Sequence, residues 1–279
     1  MSKFIPIFLV IAIGSFALGS LFSVKLDVTR RPLLQKLLTK PTPAPVDYTK
    51  IVLPEAGVQL PVTWGDLGDK LVKTGVVDST KFTPITDPGR ITISAQNAQA
   101  ILNSLWAFGL ANANPILETG PMVDKQYGGA KNFASTGGWT IAVGDAMKYY
   151  SKYDWVILTP DQQAVVERVS KNIYRPCCDN STYFPDCNHG MAMLGLLELM
   201  ASQGVSEPDM YKYALVVNSY WFPDTYVNIA KYLDSQGKSW AKANPQEILG
   251  QNYSSSTGYR KIRSQVEPIE NQGGGGCGV

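Results

Sequence analysis

From Ser94 to Ala111 the apolar residues Ala98, Ile101, Leu102, Leu105 and Trp106 recur at threes and fours, a spacing that lays one apolar stripe along a helix. Gly109 and the run Asn112-Ala113-Asn114-Pro115 are expected to end that helix. Thr159-Pro160-Asp161-Gln162 offers a cap hydroxyl, a proline at the first helical position and a glutamine at the third. This is a capping-box start, and Val165, Val166 and Val169 carry the helix toward Tyr174. Gly190 to Gln203 is rich in Met, Ala and Leu and is stopped by Gly204. Ser206-Glu207-Pro208-Asp209 opens the next helix, which runs to about Trp221. Pro223 breaks it, and Thr225 to Leu233 forms another. Trp64, Leu67, Leu71 and Val72 predict a shorter helix between Thr63 and Gly75. Only Ile51–Leu53 and Arg90–Ile93 favour strand, and no repeat of solenoid period is present. The pattern predicts a mainly α fold, a single helical domain over residues 48–265.

The two ends of the chain follow other rules. Phe4 to Val24 is a run of 21 positions without a charge, and a helix of that length covers roughly 30 Å, the hydrocarbon core of a bilayer. Residues 1–24 are therefore expected to be a transmembrane signal-anchor, with a cleaved signal peptide as the competing reading, because Ala17-Leu18-Gly19 offers small residues at cleavage-like spacing. Lys25, Arg30, Arg31 and Lys36 after the span favour a cytoplasmic C-terminal side. A lone N-terminal apolar segment usually exports the bulk domain, and the expected placement is a single-pass protein of the cell membrane with its soluble domain extracytoplasmic. Residues 25–47 read as a linker, stiffened by Pro41, Pro43 and Pro45. Residues 266–279 read as a Gly-rich tail carrying Cys277.

Composition then removes whole classes of function. A net charge of +2 over 279 residues argues against a nucleic-acid binder. One histidine excludes any site built from several, and Gly128-Gly129 and Gly137-Gly138 lack the spacing of a nucleotide loop.

Three of the four cysteines and the only histidine fall within thirteen residues, Cys177 to His189, between two well-marked helices. Thiolate and imidazole together suit a transition-metal ion: zinc, copper or iron. Cys177, Cys178, Cys187 and His189 are the candidate ligands, with His189 in the first turn of the following helix. Adjacent Cys177 and Cys178 need a turn to converge, and a helix N-terminus near Cys187 favours its thiolate. Asp179 and Asp186 are candidate oxygen ligands or partners for His189. Met191, Met193 and Cys277 are possible additional ligands, although the two methionines fit a core better than a ligand set and Cys277 also fits a surface thiol. Glu198, nine residues beyond His189 on an apolar helix, could be a buried acid near the site, with a solvated face as the default reading. Two alternatives stay open: a thiol oxidoreductase or metal-dependent enzyme using the same cluster, and a structural envelope protein whose loop is stapled by a disulfide from Cys187 to Cys177 or Cys178.

Pro176-Cys177-Cys178, then His189-Gly190, Leu196-Leu197-Glu198-Leu199 and Gly204-Val205-Ser206 through Tyr211 resemble the PCYCGC-motif family of bacterial membrane-anchored proteins. The family's alternating cysteine run is here a Cys-Cys pair. The resemblance implies an extracytoplasmic helical domain with a cysteine/histidine site, and it implies no particular reaction.

Overall fold

The computed structural model describes residues 46–266. The segment 1–24, nearly all of the linker, and the tail with Cys277 lie outside them. No helix among the described residues is long and apolar enough to cross a membrane. The fold is mainly helical, as the pattern of the chain predicts.

In chain order the elements are α1 (Tyr48–Val52), β1 (Val58–Thr63), α2 (Leu67–Lys73), β2 (Arg90–Ile93), α3 (Ala98–Ala111) and α4 (Pro115–Thr119). They continue with α5 (Pro160–Ser170), α6 (Asn188–Ser202), α7 (Glu207–Trp221), α8 (Pro223–Ser235), α9 (Pro245–Leu249), α10 (Gln251–Ser254) and α11 (Ser256–Arg263). Between α4 and α5 the chain makes only short 3-10 turns. It is tied inward where Trp106 donates to the Ser135 carbonyl at 2.7 Å and Trp139 to the Val76 carbonyl at 2.9 Å.

The caps fall where the side chains dictate. Thr159 and Gln162 form the reciprocal capping box that opens α5, and Ser206 accepts from the Asp209 N–H to open α7. The expected strand at Ile51–Leu53 is instead the end of α1. The Asp47 carboxylate accepts from the Lys50 N–H and starts a helical turn that overrides the β preference of Ile51 and Val52. A strand that periodicity missed, β1, pairs antiparallel with β2 in the register Val58↔Ile93 and Thr63↔Arg90. Its ladder is irregular between Gln59 and Thr63, around Pro61, which has no N–H to donate. Leu60, Val62, Ile91 and Ile93 turn one face of this ribbon into the core.

The centre of the fold is α3 lying along α6. Gly109 does not end α3, which runs on to Ala111; it is a contact point. A Cβ there would stand 2.3 Å from the Met191 carbonyl, and one on Gly195 would meet the Leu105 carbonyl at 2.8 Å and the Gly109 nitrogen at 3.0 Å. The two glycines let the helix backbones touch. α6 is buried along almost its whole length, so its N-terminus is set rigidly in the core.

Candidate metal centre

The loop from α5 to α6 is fixed by backbone hydrogen bonds rather than by secondary structure. α5 ends at Ser170, short of Tyr174, because Thr182 N–H bonds the Ile173 carbonyl at 2.8 Å and Tyr183 N–H the Ser170 carbonyl at 3.1 Å. Cys178 N–H reaches back to the Arg175 carbonyl at 3.3 Å, closing a turn with Pro176 at its second position. This is the turn that adjacent cysteines need. Other segments clamp the loop: Tyr174 N–H to the Leu249 carbonyl, Ser256 N–H to the Cys178 carbonyl and Ser135 N–H to the Asp186 carbonyl.

At its far end the loop delivers Cys187 as the N-cap of α6, its sulfur accepting from the Gly190 N–H at 3.4 Å. His189 follows in the first turn, buried, its ring tilted against Phe222 with centroids 4.3 Å apart and edge-on to Trp221 at 5.8 Å. Cys177 Sγ, Cys187 Sγ and a ring nitrogen of His189 all lie within 4.8 Å of one another. The two sulfurs are 3.5 Å apart. A disulfide would hold them at about 2.05 Å, whereas two thiolates on one tetrahedral ion, each about 2.3 Å from it, stand about 3.8 Å apart. The spacing fits shared ligation.

Cys178 belongs to a second group, with Asp186 and Cys187. Across this one lies the guanidinium of Arg175, almost fully buried. Arg175 Nε donates to Cys187 Sγ at 2.9 Å, Nη1 to the Asn180 carbonyl at 2.9 Å, and Nη2 to the Phe184 carbonyl at 3.0 Å and to the Asp186 carboxylate, with which it forms an ion pair. Gly190 makes room for it, since a Cβ there would stand 2.6 Å from Arg175 Cζ.

These neighbours separate the thiols. Cys187 is held well below the ordinary thiol range: hydrogen bonds with Cys177 and Cys178 favour its thiolate first, the Arg175 charge and His189 add to this, and together they outweigh its burial. Cys178 is pushed up to about 11; its hydrogen bond with Cys177 pulls it down, but that with Cys187 and its burial prevail. Burial works against the Arg175 charge, yet Cys187, Cys178, Asp186 and Cys177 around it keep the guanidinium protonated.

Of the four candidate ligands, the geometry groups Cys177 and Cys187 with His189 and sets Cys178 in the second group with Asp186 and Cys187; the surroundings differ further from the sequence reading. Asp179 does not face His189. Its carboxylate caps α11, accepting from Thr257 N–H at 2.7 Å and Thr257 Oγ1 at 2.8 Å. Asp186 serves Arg175 and Asn180. Met191 and Met193 are buried in the helical core. Glu198 is fully buried, not solvated, and pairs with Asn112. The residue that sequence reasoning missed is Arg175. The sequence shows only an arginine near thiols and an acid that could pair with its charge, which does not by itself mark it as buried.

No protein-family model, no curated protein and no solved structure matches the chain.

Proposed function

We propose that this chain is a membrane-anchored extracytoplasmic protein whose Cys177, Cys187 and His189 hold a divalent transition-metal ion, zinc first among them. The convergence of two sulfurs and an imidazole nitrogen within 4.8 Å carries the reading. Charge balance supports the divalent state. With the ion bound, Cys177 and Cys187 are thiolates, and the Asp186 charge is cancelled by Arg175. Two negative charges remain at a largely buried site, where an uncompensated charge is costly.

Arg175 already occupies the second group as its resident cation, which leaves Cys178 as a neutral neighbour. A set of two sulfurs and one nitrogen leaves one position for a water or for a further thiol such as Cys277. The resemblance of Pro176-Cys177-Cys178 and His189-Gly190 to the PCYCGC-motif family, and the 21 uncharged positions from Phe4, support the anchored placement. The role that follows is metal handling, or a metal that locks the loop.

Elemental analysis of the reduced full-length protein is expected to find close to one zinc per chain. Cys187→Ser and His189→Ala should fall to background. A wild-type content below about 0.2 metal per chain defeats the reading.

A further inference from the structure

The two sulfurs of the candidate centre differ in access. Cys187 Sγ is buried, with Arg175 Nε at 2.9 Å and the Gly190 N–H at 3.4 Å directed at it. Cys177, whose sulfur lies 3.5 Å away, is only half-buried. Cys178 lies in the second group with Asp186 and Cys187, its sulfur 3.9 Å from both the Asn180 carbonyl and the Asp186 carboxylate. Resting on the metal reading above, we infer that Cys177 and Cys187 form a reversible dithiol–disulfide couple, whose oxidation by a low-molecular-weight disulfide ejects the metal ion.

Access sets the order of the steps. The Cys177 thiolate attacks one sulfur of RS–SR; the oxidant's S–S bond breaks, one RS⁻ leaves, and a mixed disulfide forms on Cys177. The Cys187 thiolate then attacks the Cys177 sulfur and expels the second RS⁻. Two electrons pass from the cysteine sulfurs to the oxidant, and each RS⁻ takes a proton from water. One thiolate donor is lost at each step, and with both gone the ion departs as the divalent cation. Zinc has no redox chemistry of its own, so the electrons come from sulfur.

Arg175 makes the couple reversible. By holding its charge against Cys187 it stabilises the thiolate, hence the reduced state, and a disulfide whose reduced form is stabilised is easily reduced again. The sulfurs must close by about 1.5 Å to bond.

The test equilibrates full-length protein, zinc-loaded and zinc-depleted, against glutathione buffers running from fully reduced to fully oxidised. Released zinc is read with a chromogenic chelator, and acid-quenched, alkylated samples are mapped by peptide mass. A Cys177–Cys187 linked peptide is expected in both preparations. Zinc release should share its midpoint, and added reduced glutathione should reverse both. Cys178→Ser should still form the Cys177–Cys187 link and release its zinc, with the midpoint free to move because Cys178 lies beside Cys187. Zinc retained at full oxidation, or a link that uses Cys178 in place of Cys177, overturns the inference. Zinc content is measured before glutathione is added, so a reduced protein that holds none defeats the metal reading at that earlier step.

Discussion

Two ionisable residues, Glu198 and Arg175, show how burial changes what a side chain can do. Glu198 Oε2 accepts from Asn112 Nδ2 at 2.7 Å, while its Oε1 has no hydrogen-bond partner among the described residues. Burial pushes its carboxyl up to about 8, against the opposing pull of Asn112 and Asn114. The folded protein therefore carries a neutral acid here at neutral pH. Between the ordinary value of 4.5 and about 8, the native state keeps a proton that the unfolded chain releases. Stability from this group is complete below that window, falls as pH rises through it, and is lost above it. The loss has an upper limit on the order of 5 kcal/mol. Glu198→Gln should flatten the decline, so urea midpoints of the two proteins measured from pH 5 to pH 8.5 should converge or cross as pH rises. Parallel curves would show that Glu198 does not titrate in this range. Neither residue's setting was legible in the sequence. The scarcity of cysteine and histidine exposed the cluster, but burial of an acid or a guanidinium depends on partners such as Asn112 and Asp186, which local pattern does not reveal.

Most helices were legible because their signals are local. Thr159, Ser206 and Pro223 act on the residues that follow them within one turn, and the structure puts helix starts beside each. β1 was not, since its partner β2 lies some thirty residues away and Pro61 interrupts its alternation. Gly109 was misread for a related reason. Glycine commonly marks a helix end, and only the facing backbone of α6 turns it into a contact. Gly109→Ala tests this directly. In an isolated helix the change stabilises by about 1 kcal/mol. Here the new methyl meets the Met191 carbonyl, a backbone atom that yields only if α3 and α6 separate. The expected result is a net loss of about 2 kcal/mol in chemical denaturation, the scale of overpacking in a tight core. A neutral or stabilised variant would mean that the helices do not cross at these glycines.

Over the whole molecule, the candidate centre joins segments that are far apart in sequence. The loop carrying Cys177 and Cys178 is bound to α9 through Tyr174, to α11 through Asp179 and the Cys178 carbonyl, and to the chain before α5 through Asp186 and Ser135. Cys187 and His189 belong to α6, the most buried helix. An ion held by both parts binds the folded arrangement and not the open chain, so its affinity adds to global stability. At a hundredfold excess of free zinc over its dissociation constant the gain is about 2.7 kcal/mol. For a folded unit of roughly 220 residues, each kcal/mol moves the melting temperature by about 2–4 °C. Reduced protein should therefore melt about 5–10 °C higher with zinc than after chelation. His189→Ala should remove that difference, because it takes away the proposed ligand on α6 while leaving the Arg175 network in place. A loop held by Arg175 alone predicts the opposite: melting that ignores zinc and chelator alike and drops when Arg175 is changed. The size of the chelator response, compared between wild type and His189→Ala, decides between a metal and a guanidinium as the centre of the fold's cysteine loop.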